Sequence, residues 1–95
     1  MPTAYVLLNT EIGAQTQVLR ALKKIEGVAE VHSLWGVYDI IANIEAENME
    51  KLRHIITKRI AKIEKINSKL TMVITDQQRP AVTEHVIFEA TPILQ

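Results

Sequence analysis

The sequence contains no cysteine, and this absence excludes several kinds of chemistry. Without thiols the chain has no disulfide, no thiolate nucleophile and no cysteine-ligated zinc or iron–sulfur site. Neither charge is in excess, since 11 Lys and Arg balance 11 Asp and Glu. No global electrostatic attraction therefore draws the chain to nucleic acid or to an anionic membrane, and we expect no direct binding to either.

Long apolar runs and a basic N-terminus are also missing. The longest apolar run near the start is residues 4–8, and no Lys or Arg precedes Arg20. A membrane span needs about 20 apolar residues, and a secretory signal needs a basic start, so we expect a cytoplasmic protein. With 95 residues, 47% of them hydrophobic, the chain forms one small domain with little core to spare, which favours oligomerisation.

Strand-like and helix-like segments follow one another in the order β-α-β-β-α-β. Val18, Leu22 and Ile25 are spaced as on one helix face, and Gly27 is expected to end that helix. The break Trp35-Gly36 indicates a hairpin between two strands. The predicted strands are 3–9, 28–34, 37–45 and 70–75, and the predicted helices are 14–25 and 47–63, with Asn48 as the second N-cap. This order is typical of the ferredoxin-like α+β fold, with both helices on one face of a four-stranded sheet.

Both faces of the predicted sheet carry large aliphatic side chains. Tyr38, Ile40, Ala42 and Ile44 alternate with Asp39, Ile41, Asn43 and Glu45, and Leu70, Met72 and Ile74 alternate with Thr71, Val73 and Thr75. A monomer would expose a larger apolar patch than soluble monomers usually tolerate. We therefore predict a homodimer, a dimeric α/β-barrel whose sheets pack face to face; the alternative is an ordinary half-apolar sheet in a monomer.

The character of the sequence changes near residue 76. A polar connection over residues 76–80 leads to an apolar-rich stretch at 82–94. We divide the chain into a domain at 1–76 and a C-terminal extension at 77–95. The extension is predicted to add an edge strand or to cross to a partner subunit.

Three stretches resemble the effector-binding domain, or RAM domain, of the Lrp/AsnC transcription regulators. They are residues 4–13, residues 25–31 and residues 36–40, the last similar to the Gly-X-Tyr-Asp hairpin of that family. Because the first strand begins at residue 3, where full-length regulators carry a helix-turn-helix, we expect a stand-alone RAM protein. The resemblance implies dimers, often assembled further, that bind amino-acid effectors in clefts between dimers.

The hairpin is the candidate ligand site. Gly36 permits a positive φ or a close backbone approach, Asp39 can accept from an ammonium group, and Trp35 could form a wall. The alternative is that Gly36 and Asp39 only make the turn and that Tyr38 only packs. The predicted site residues are Trp35, Gly36, Val37, Tyr38 and Asp39, with Ser68 and Thr71 added by the resemblance. Lys69 departs from the small hydroxyl residue usual in the family.

Other chemistry has little support in the sequence. His32, His54 and His85 are scattered and lack metal-ligand spacing, so we expect no metal and no cofactor; a metal site between subunits is the alternative. A basic stripe on the second helix fits a solvated helix face. No Ser-His-Asp arrangement, close carboxylate pair or Gly-rich phosphate loop is present, and we expect no enzyme.

The predicted function is a non-enzymatic one. We expect a sensor of an amino acid or similar small metabolite, which oligomerises and acts in transcription regulation without its own DNA-binding domain. One alternative is a ligand-free oligomerisation partner of helix-turn-helix-bearing relatives. The other is a small dimeric α+β-barrel enzyme, which would need an enclosed pocket between helices and sheet.

Overall fold

The computed structural model describes residues 1–74 and the backbone of residues 86–88. Its strands are β1 (Thr3–Thr10), β2 (Val28–Ser33), β3 (Ile40–Glu45), β4 (Ile66–Ile74) and β5 (Val86–Phe88). Its helices are α1 (Gln15–Lys23) and α2 (Met49–His54), and α2 continues as a π-helical turn (Ile55–Arg59) and a 3-10 turn (Ile60–Lys62). Within this part of the chain, no helix has the length and apolarity that a membrane crossing requires.

One antiparallel sheet organises the described residues, in the strand order β2-β3-β1-β4-β5. The central strand is β1, where Leu8 lies opposite Ile40 of β3 and Lys69 of β4. The hairpin prediction is confirmed, because β2 and β3 are antiparallel neighbours. The predicted ferredoxin-like α+β fold is confirmed as well: the first four strands and the two helices follow each other in its order.

The core lies between the helices and one face of the sheet. Ala4, Val6 and Leu8 alternate along β1 with half-buried neighbours and are themselves inaccessible to solvent. Ile40, Ala42 and Ile44 of β3 belong to the same buried cluster. The helical segments add Val18, Leu22, Leu52, Ile56 and Ile60. The period of two along the strands and of three to four along the helices brings these apolar side chains together.

The other side of the sheet, here called the open sheet face, carries no helix from the described residues. Its side chains follow from the strand register and alternation: Thr3, Tyr5, Leu7 and Asn9 of β1, Ile41, Asn43 and Glu45 of β3, and Ser68, Leu70, Met72 and Ile74 of β4. Most of its large apolar side chains are half-buried in the single chain. Asn43 lies among them, and its Oδ1 atom is buried without a hydrogen-bond partner in the described part.

Two predicted strand boundaries were wrong. β4 begins at Ile66 rather than residue 70, because a bulge lets it pair earlier: Asn9 lies opposite Ser68, whereas Thr10 lies opposite Ile66. β3 begins at Ile40 rather than at residue 37. Residues 37–39 belong to the connection, where Asp39 still bonds to Leu34 beyond the end of β2 and also bonds to Leu8 and Thr10 of β1.

The second helix is less regular than its amphipathic pattern indicates. The predicted N-cap is confirmed, since Asn48 Oδ1 accepts the backbone N–H of Lys51 at 2.8 Å. The α-helical part ends at His54, however, and the N–H of Ile60 donates to the carbonyl of Ile55 in the π-helical turn. In the same segment the Thr57 hydroxyl donates to the Arg53 carbonyl at 2.8 Å, a back-bond that often bends helices.

The predicted role of Gly27 as the first helix's C-cap was wrong by three residues. α1 ends at Lys23 with Lys24 as its cap, and Gly27 lies in the turn that follows, with φ +103°. A Cβ on Gly27 would lie 2.5 Å from Cδ1 of Ile55 and 3.2 Å from the carbonyl oxygen of Glu45. The positive φ is therefore the main reason for glycine here, and a Cβ would in addition force the end of the Ile55 side chain to turn away.

Most of the C-terminal extension lies outside the described residues, which end at Ile74 and resume only for β5. β5 pairs antiparallel with β4, with Ile87 opposite Val73. The predicted division at residue 76 and the predicted subunit-crossing tail fall on residues beyond the described ranges, so both remain predictions.

Candidate functional site

The connection between β2 and β3 meets the end of β1 and the start of β4 at one end of the sheet. We call this region the hairpin site and define it by residues 34–39 together with Asn9, Thr10 and Ser68. Here β1 and β4 change from apolar to polar sequence, and α1 begins a few residues beyond β1. Side-chain to backbone hydrogen bonds, rather than apolar packing, join these segments.

Asp39 is the centre of that hydrogen-bond network. Its Oδ2 accepts the Thr10 backbone N–H at 2.9 Å and the Thr10 hydroxyl at 3.3 Å. Its own N–H donates to the Leu8 carbonyl at 2.9 Å, and its carbonyl accepts from Leu34 N and from Gln15 Nε2, each at 2.7 Å. The other carboxylate oxygen, Oδ1, takes part in none of these bonds. Asp39 therefore makes the turn and also keeps one oxygen for a further donor.

The tip of the hairpin is exposed and apolar. Trp35 is 101% exposed and Val37 84%, while Tyr38 is half-buried. Ile12, in the loop after β1, is 104% exposed at the same end of the sheet. These three side chains form what we call the apolar tip. Each of these side chains is exposed on its own, and all three lie at the end of the sheet that carries Asp39.

Nothing in the conformation of the described residues requires a glycine at position 36. It is absent from the positive-φ residues, which are Gly13, Gly27 and Lys65 among those described, and a Cβ at Gly36 would meet no heavy atom within 4 Å. The expected positive φ is thus not found. Any requirement for glycine at position 36 has to come from something that approaches the hairpin from outside the chain.

The structure separates the two hydroxyl residues that the resemblance placed in one site. Ser68 accepts from Asn9 Nδ2 at 3.2 Å and belongs to the hairpin site. Thr71 lies opposite Val6 on the helix-covered face and lines a groove against α2 instead. Residues three apart on a strand point to opposite faces, so the structure does not bring Thr71 to the hairpin. Lys69 is also on the helix-covered side, where its Nζ lies 3.5 Å from the Ile56 carbonyl.

Four polar residues of this network escaped the sequence analysis. Asn9, Thr10 and Gln15 surround Asp39 or Ser68, and Asn67 Nδ2 donates to the Thr10 carbonyl at 3.4 Å. The abrupt change from an apolar strand to Asn9 and Thr10 was a usable signal. Their partners are far away in sequence, so the pairing itself was not visible.

The histidines stay apart in the structure. His32 Nε2 lies 3.3 Å from Glu30 Oε1 on β2, and His54 is exposed on α2. His85 lies outside the described residues. Among those that are described, no group of three or more His, Asp or Glu side chains could hold a metal ion.

Charged side chains near the start of α2 form a local pair away from the hairpin site. Lys51 Nζ donates to Glu47 Oε1 at 2.7 Å. This hydrogen bond and the positive charge of Lys51 lower the pKa of Glu47 below its ordinary value, and Glu47 in turn raises the pKa of Lys51. Both groups are fully solvated, so the pair orders the helix start only weakly.

The sequence model of the Lrp/AsnC ligand-binding domain matches residues 3–82, which include β1 to β4 and the whole hairpin site. The chain belongs to the Lrp/AsnC ligand-binding domain family. The resemblance found in the sequence is thereby confirmed.

Individual relatives of this Lrp/AsnC domain agree with that assignment. An uncharacterised HTH-type transcriptional regulator of Pyrococcus abyssi is 31% identical over 77 residues, which are 78% of this chain and 51% of the relative. The chain thus spans about half the length of the curated relatives it matches. Regulators of transcription therefore share this domain.

Solved structures show the same fold. A hypothetical protein from Pyrococcus horikoshii has a TM-score of 0.76 at 28% identity, covering 87% of this chain and all of that one (100%). A transcriptional regulator from Neisseria meningitidis, solved as a complex with L-Met, has a TM-score of 0.69 at 11% identity and covers 82% of this chain and 52% of that one. At that identity the second likeness concerns the fold alone.

Proposed function

We propose that this Lrp/AsnC domain senses a small metabolite, an amino acid in the first instance, at the hairpin site. The observation that carries the proposal is Asp39: Thr10 of β1 holds its carboxylate through Oδ2, Gln15 of α1 holds its backbone carbonyl, and Oδ1 lies outside those bonds, in the same hairpin as the exposed Trp35 and Val37. An ammonium group can bind to Oδ1, and exposed backbone N–H groups of the hairpin can receive a carboxylate.

The apolar tip supports a second element of the proposal, namely assembly. Trp35, Val37 and Ile12 are exposed at one end of the sheet, where a second copy could cover them. A cleft formed when such tips meet in an oligomer would enclose a ligand bound to Asp39. Ligand binding would then favour one assembly state over another, which is a population shift.

The open sheet face supports a homodimer. Its apolar side chains on β1, β3 and β4 form a continuous surface without a helix from the described residues, and a second copy would cover it with the same surface. Asn43 Oδ1 lies within it, buried and unpartnered.

The comparisons support the regulatory part of this proposal. The curated relatives are named as HTH-type transcriptional regulators, and the structure from Neisseria meningitidis holds L-Met in a protein of the same fold. We extend to this chain a non-enzymatic role in transcription regulation, in the cytoplasm, with helix-turn-helix-bearing family members as candidate partners.

One alternative has an observation in its favour. Asp39 is bonded to Thr10, Leu8, Leu34 and Gln15, so its role in the fold would be complete without any ligand. In that case the domain is a ligand-free oligomerisation partner of full-length relatives. The two functions differ in one measurable property, which is saturable binding at the hairpin.

The decisive experiment uses Trp35, the sole tryptophan of the sequence, as a reporter at the hairpin tip. The full chain is titrated with each proteinogenic amino acid while Trp35 emission, binding heat and molecular mass in solution are recorded. We expect at least one amino acid to shift Trp35 emission saturably and to change the mass. Asp39→Asn should weaken that binding, whereas Glu11→Gln, an equal charge change in the adjacent exposed loop, should not.

A negative result would be unambiguous. If no amino acid gives saturable heat or an emission change, and the mass is the same with and without ligand, the sensor proposal fails. Co-purification of a helix-turn-helix relative in that situation would favour the ligand-free partner.

A further inference from the structure

A groove between α2 and β4 lies on the helix-covered face, away from the hairpin site. Its volume is about 320 Å³, at the lower end of the range for small-molecule sites. Arg53, Thr57, Lys69 and Thr71 provide its polar groups, and Leu52 and Val73 are among its apolar walls. Thr71 and Lys69 enter it because they alternate with the open-face residues of β4.

The polar side chains that line this α2–β4 groove are cationic or neutral, and none is acidic. Two side chains are cationic, two carry hydroxyl groups, and no Asp or Glu is among the residues that line the groove. The ion pairs found among the described residues are His32–Glu30 and Lys51–Glu47, neither of which involves Arg53 or Lys69. Such a lining favours an anion and disfavours a ligand that carries an ammonium group.

Lys69 is positioned by the irregular part of the helix. Its ammonium lies 3.5 Å from the carbonyl of Ile56, which belongs to the π-helical turn. Thr57, from the same turn, also lines the groove. Single π-helical turns within helices are frequent at functional sites, because they redirect side chains that a regular helix would place elsewhere.

The floor of the groove is apolar and well packed. Leu52 is 1% exposed and Ile56 7%, and both are members of the core cluster. The apolar side chains that still face the groove above this floor are Met49, which is 46% exposed, and Val73, which is half-buried. An inorganic anion would leave these two wet, whereas an aliphatic body would cover them and gain about 25 cal/mol for each Å² removed from water. The groove therefore fits a ligand with one anionic end and one aliphatic end.

We propose that the α2–β4 groove binds a small carboxylic acid with an aliphatic body and no amino group. The carboxylate lies between Arg53 and Lys69, with the hydroxyl of Thr71 as a further donor. The aliphatic body covers Met49 and Val73. This site takes a chemical class different from the zwitterion expected at the hairpin, and the two do not share a residue.

The test compares three probes with one carbon skeleton: 4-methylpentanoate, its amino-substituted analogue leucine, and the neutral 4-methylpentanamide. Each is titrated into the full chain at low ionic strength and followed by backbone amide NMR. We expect saturable shifts with the carboxylate, centred on Arg53, Thr57 and residues 69–73. Leucine and the amide should bind this groove at least about tenfold more weakly, and added salt should weaken the carboxylate.

Matched variants locate the binding. Arg53→Gln and Lys69→Gln should each weaken 4-methylpentanoate about tenfold, as expected for loss of a hydrogen bond to a charged group. Lys58→Gln removes the same charge from an exposed position outside the groove and should leave the affinity unchanged. Thr71→Val keeps the shape of the side chain and should give a smaller loss.

The proposal is overturned by any of three results: no saturable shift at the groove, equal binding of the carboxylate and the amide, or equal effects of Lys58→Gln and Lys69→Gln. None of these results would bear on the hairpin site. Amino-acid binding there is reported by Trp35 emission, and it should be insensitive to Lys69→Gln.

Discussion

The Asp39 carboxylate accepts the backbone N–H of Thr10 at 2.9 Å, and Thr10 is only 8% exposed. This bond satisfies a backbone donor at the point where β1 leaves the sheet. Removing the acceptor leaves that donor unsatisfied, so Asp39→Ala should lower the free energy of unfolding by about 1–3 kcal/mol. Asp39→Asn keeps an acceptor oxygen and should cost less. Urea denaturation of both variants checks this; equal stability of Asp39→Ala and the parent would contradict the structural role.

Gly27 should be far less replaceable than Gly13. Both have a positive φ, but a Cβ at Gly13 would meet nothing within 4 Å, whereas one at Gly27 would collide with Ile55. Gly13→Ala should cost about 1 kcal/mol from backbone strain alone. Gly27→Ala should cost about 1–3 kcal/mol, because the Ile55 side chain has to move in addition to the backbone strain.

A double-mutant cycle separates the two causes at Gly27. Ile55→Val removes the Cδ1 atom that a Cβ at position 27 would meet 2.5 Å away. Gly27→Ala should therefore cost less in the Ile55→Val background than in the parent, as measured by thermal or urea unfolding. An identical cost in both backgrounds would show that packing against Ile55 is not the reason for the glycine.

Asn48 should be important for the start of α2. Its Oδ1 accepts from Lys51 N at 2.8 Å, so Asn48→Ala should lower stability by about 1 kcal/mol. Asn48→Asp retains the acceptor and should be close to neutral. Unfolding measurements on the pair give the comparison, and a loss as large for Asp as for Ala would argue against the cap.

The Glu47–Lys51 pair makes the free energy of unfolding depend slightly on pH. The hydrogen bond to Lys51 lowers the folded-state pKa of Glu47 below 4.5. The stabilisation from Glu47 is therefore present above its unfolded-state pKa and is lost as the pH falls through its folded-state pKa. The pKa of Lys51 is raised above 10.5, so its contribution exists below the unfolded pKa and disappears as the pH rises through the folded one. NMR titration of the Glu47 carboxyl should show a higher pKa in Lys51→Gln than in the parent; an unchanged value would contradict the pairing.

Asn43 tests the proposed sheet-to-sheet dimer. Asn43 lies opposite Tyr5 on the open sheet face, so a charge introduced there would be buried if a second copy covers that face, and Asn43→Lys should raise the dimer dissociation constant at least about tenfold. Sedimentation on dilution measures this directly. A dimer of unchanged affinity in Asn43→Lys would argue against association through the open sheet face.

The fold could be predicted because its signals are local and repetitive. Val6 and Leu8 alternate with less buried neighbours, and Val18 and Leu22 recur at helical spacing. The spacing of apolar residues within each segment is therefore enough to indicate a strand or a helix. The confirmed β-α-β-β-α-β order follows from these periods and from the short break at the hairpin.

The features that could not be predicted depend on contacts between residues distant in sequence. The start of β4 at Ile66 depends on pairing with Thr10, and the turn at Asp39 depends on the same residue. Thr71 was grouped with Ser68 by resemblance, although the alternation of a strand separates them once β4 is known to include both. The π-helical turn has no signature in the apolar spacing of residues 47–63, because Ile56 and Ile60 remain buried with or without it.

The bulge in β4 shifts the phase of the strand by one residue at Asn67. Ile66 and Ser68 would share a face in an unbroken strand, yet Ile66 packs on the core and Ser68 bonds to Asn9 on the other side. The residues of β4 before the bulge and those after it therefore alternate between the two sheet faces in separate patterns. A residue gained or lost at position 67 would change the sheet end beside the hairpin while leaving Lys69, Thr71 and their groove in register.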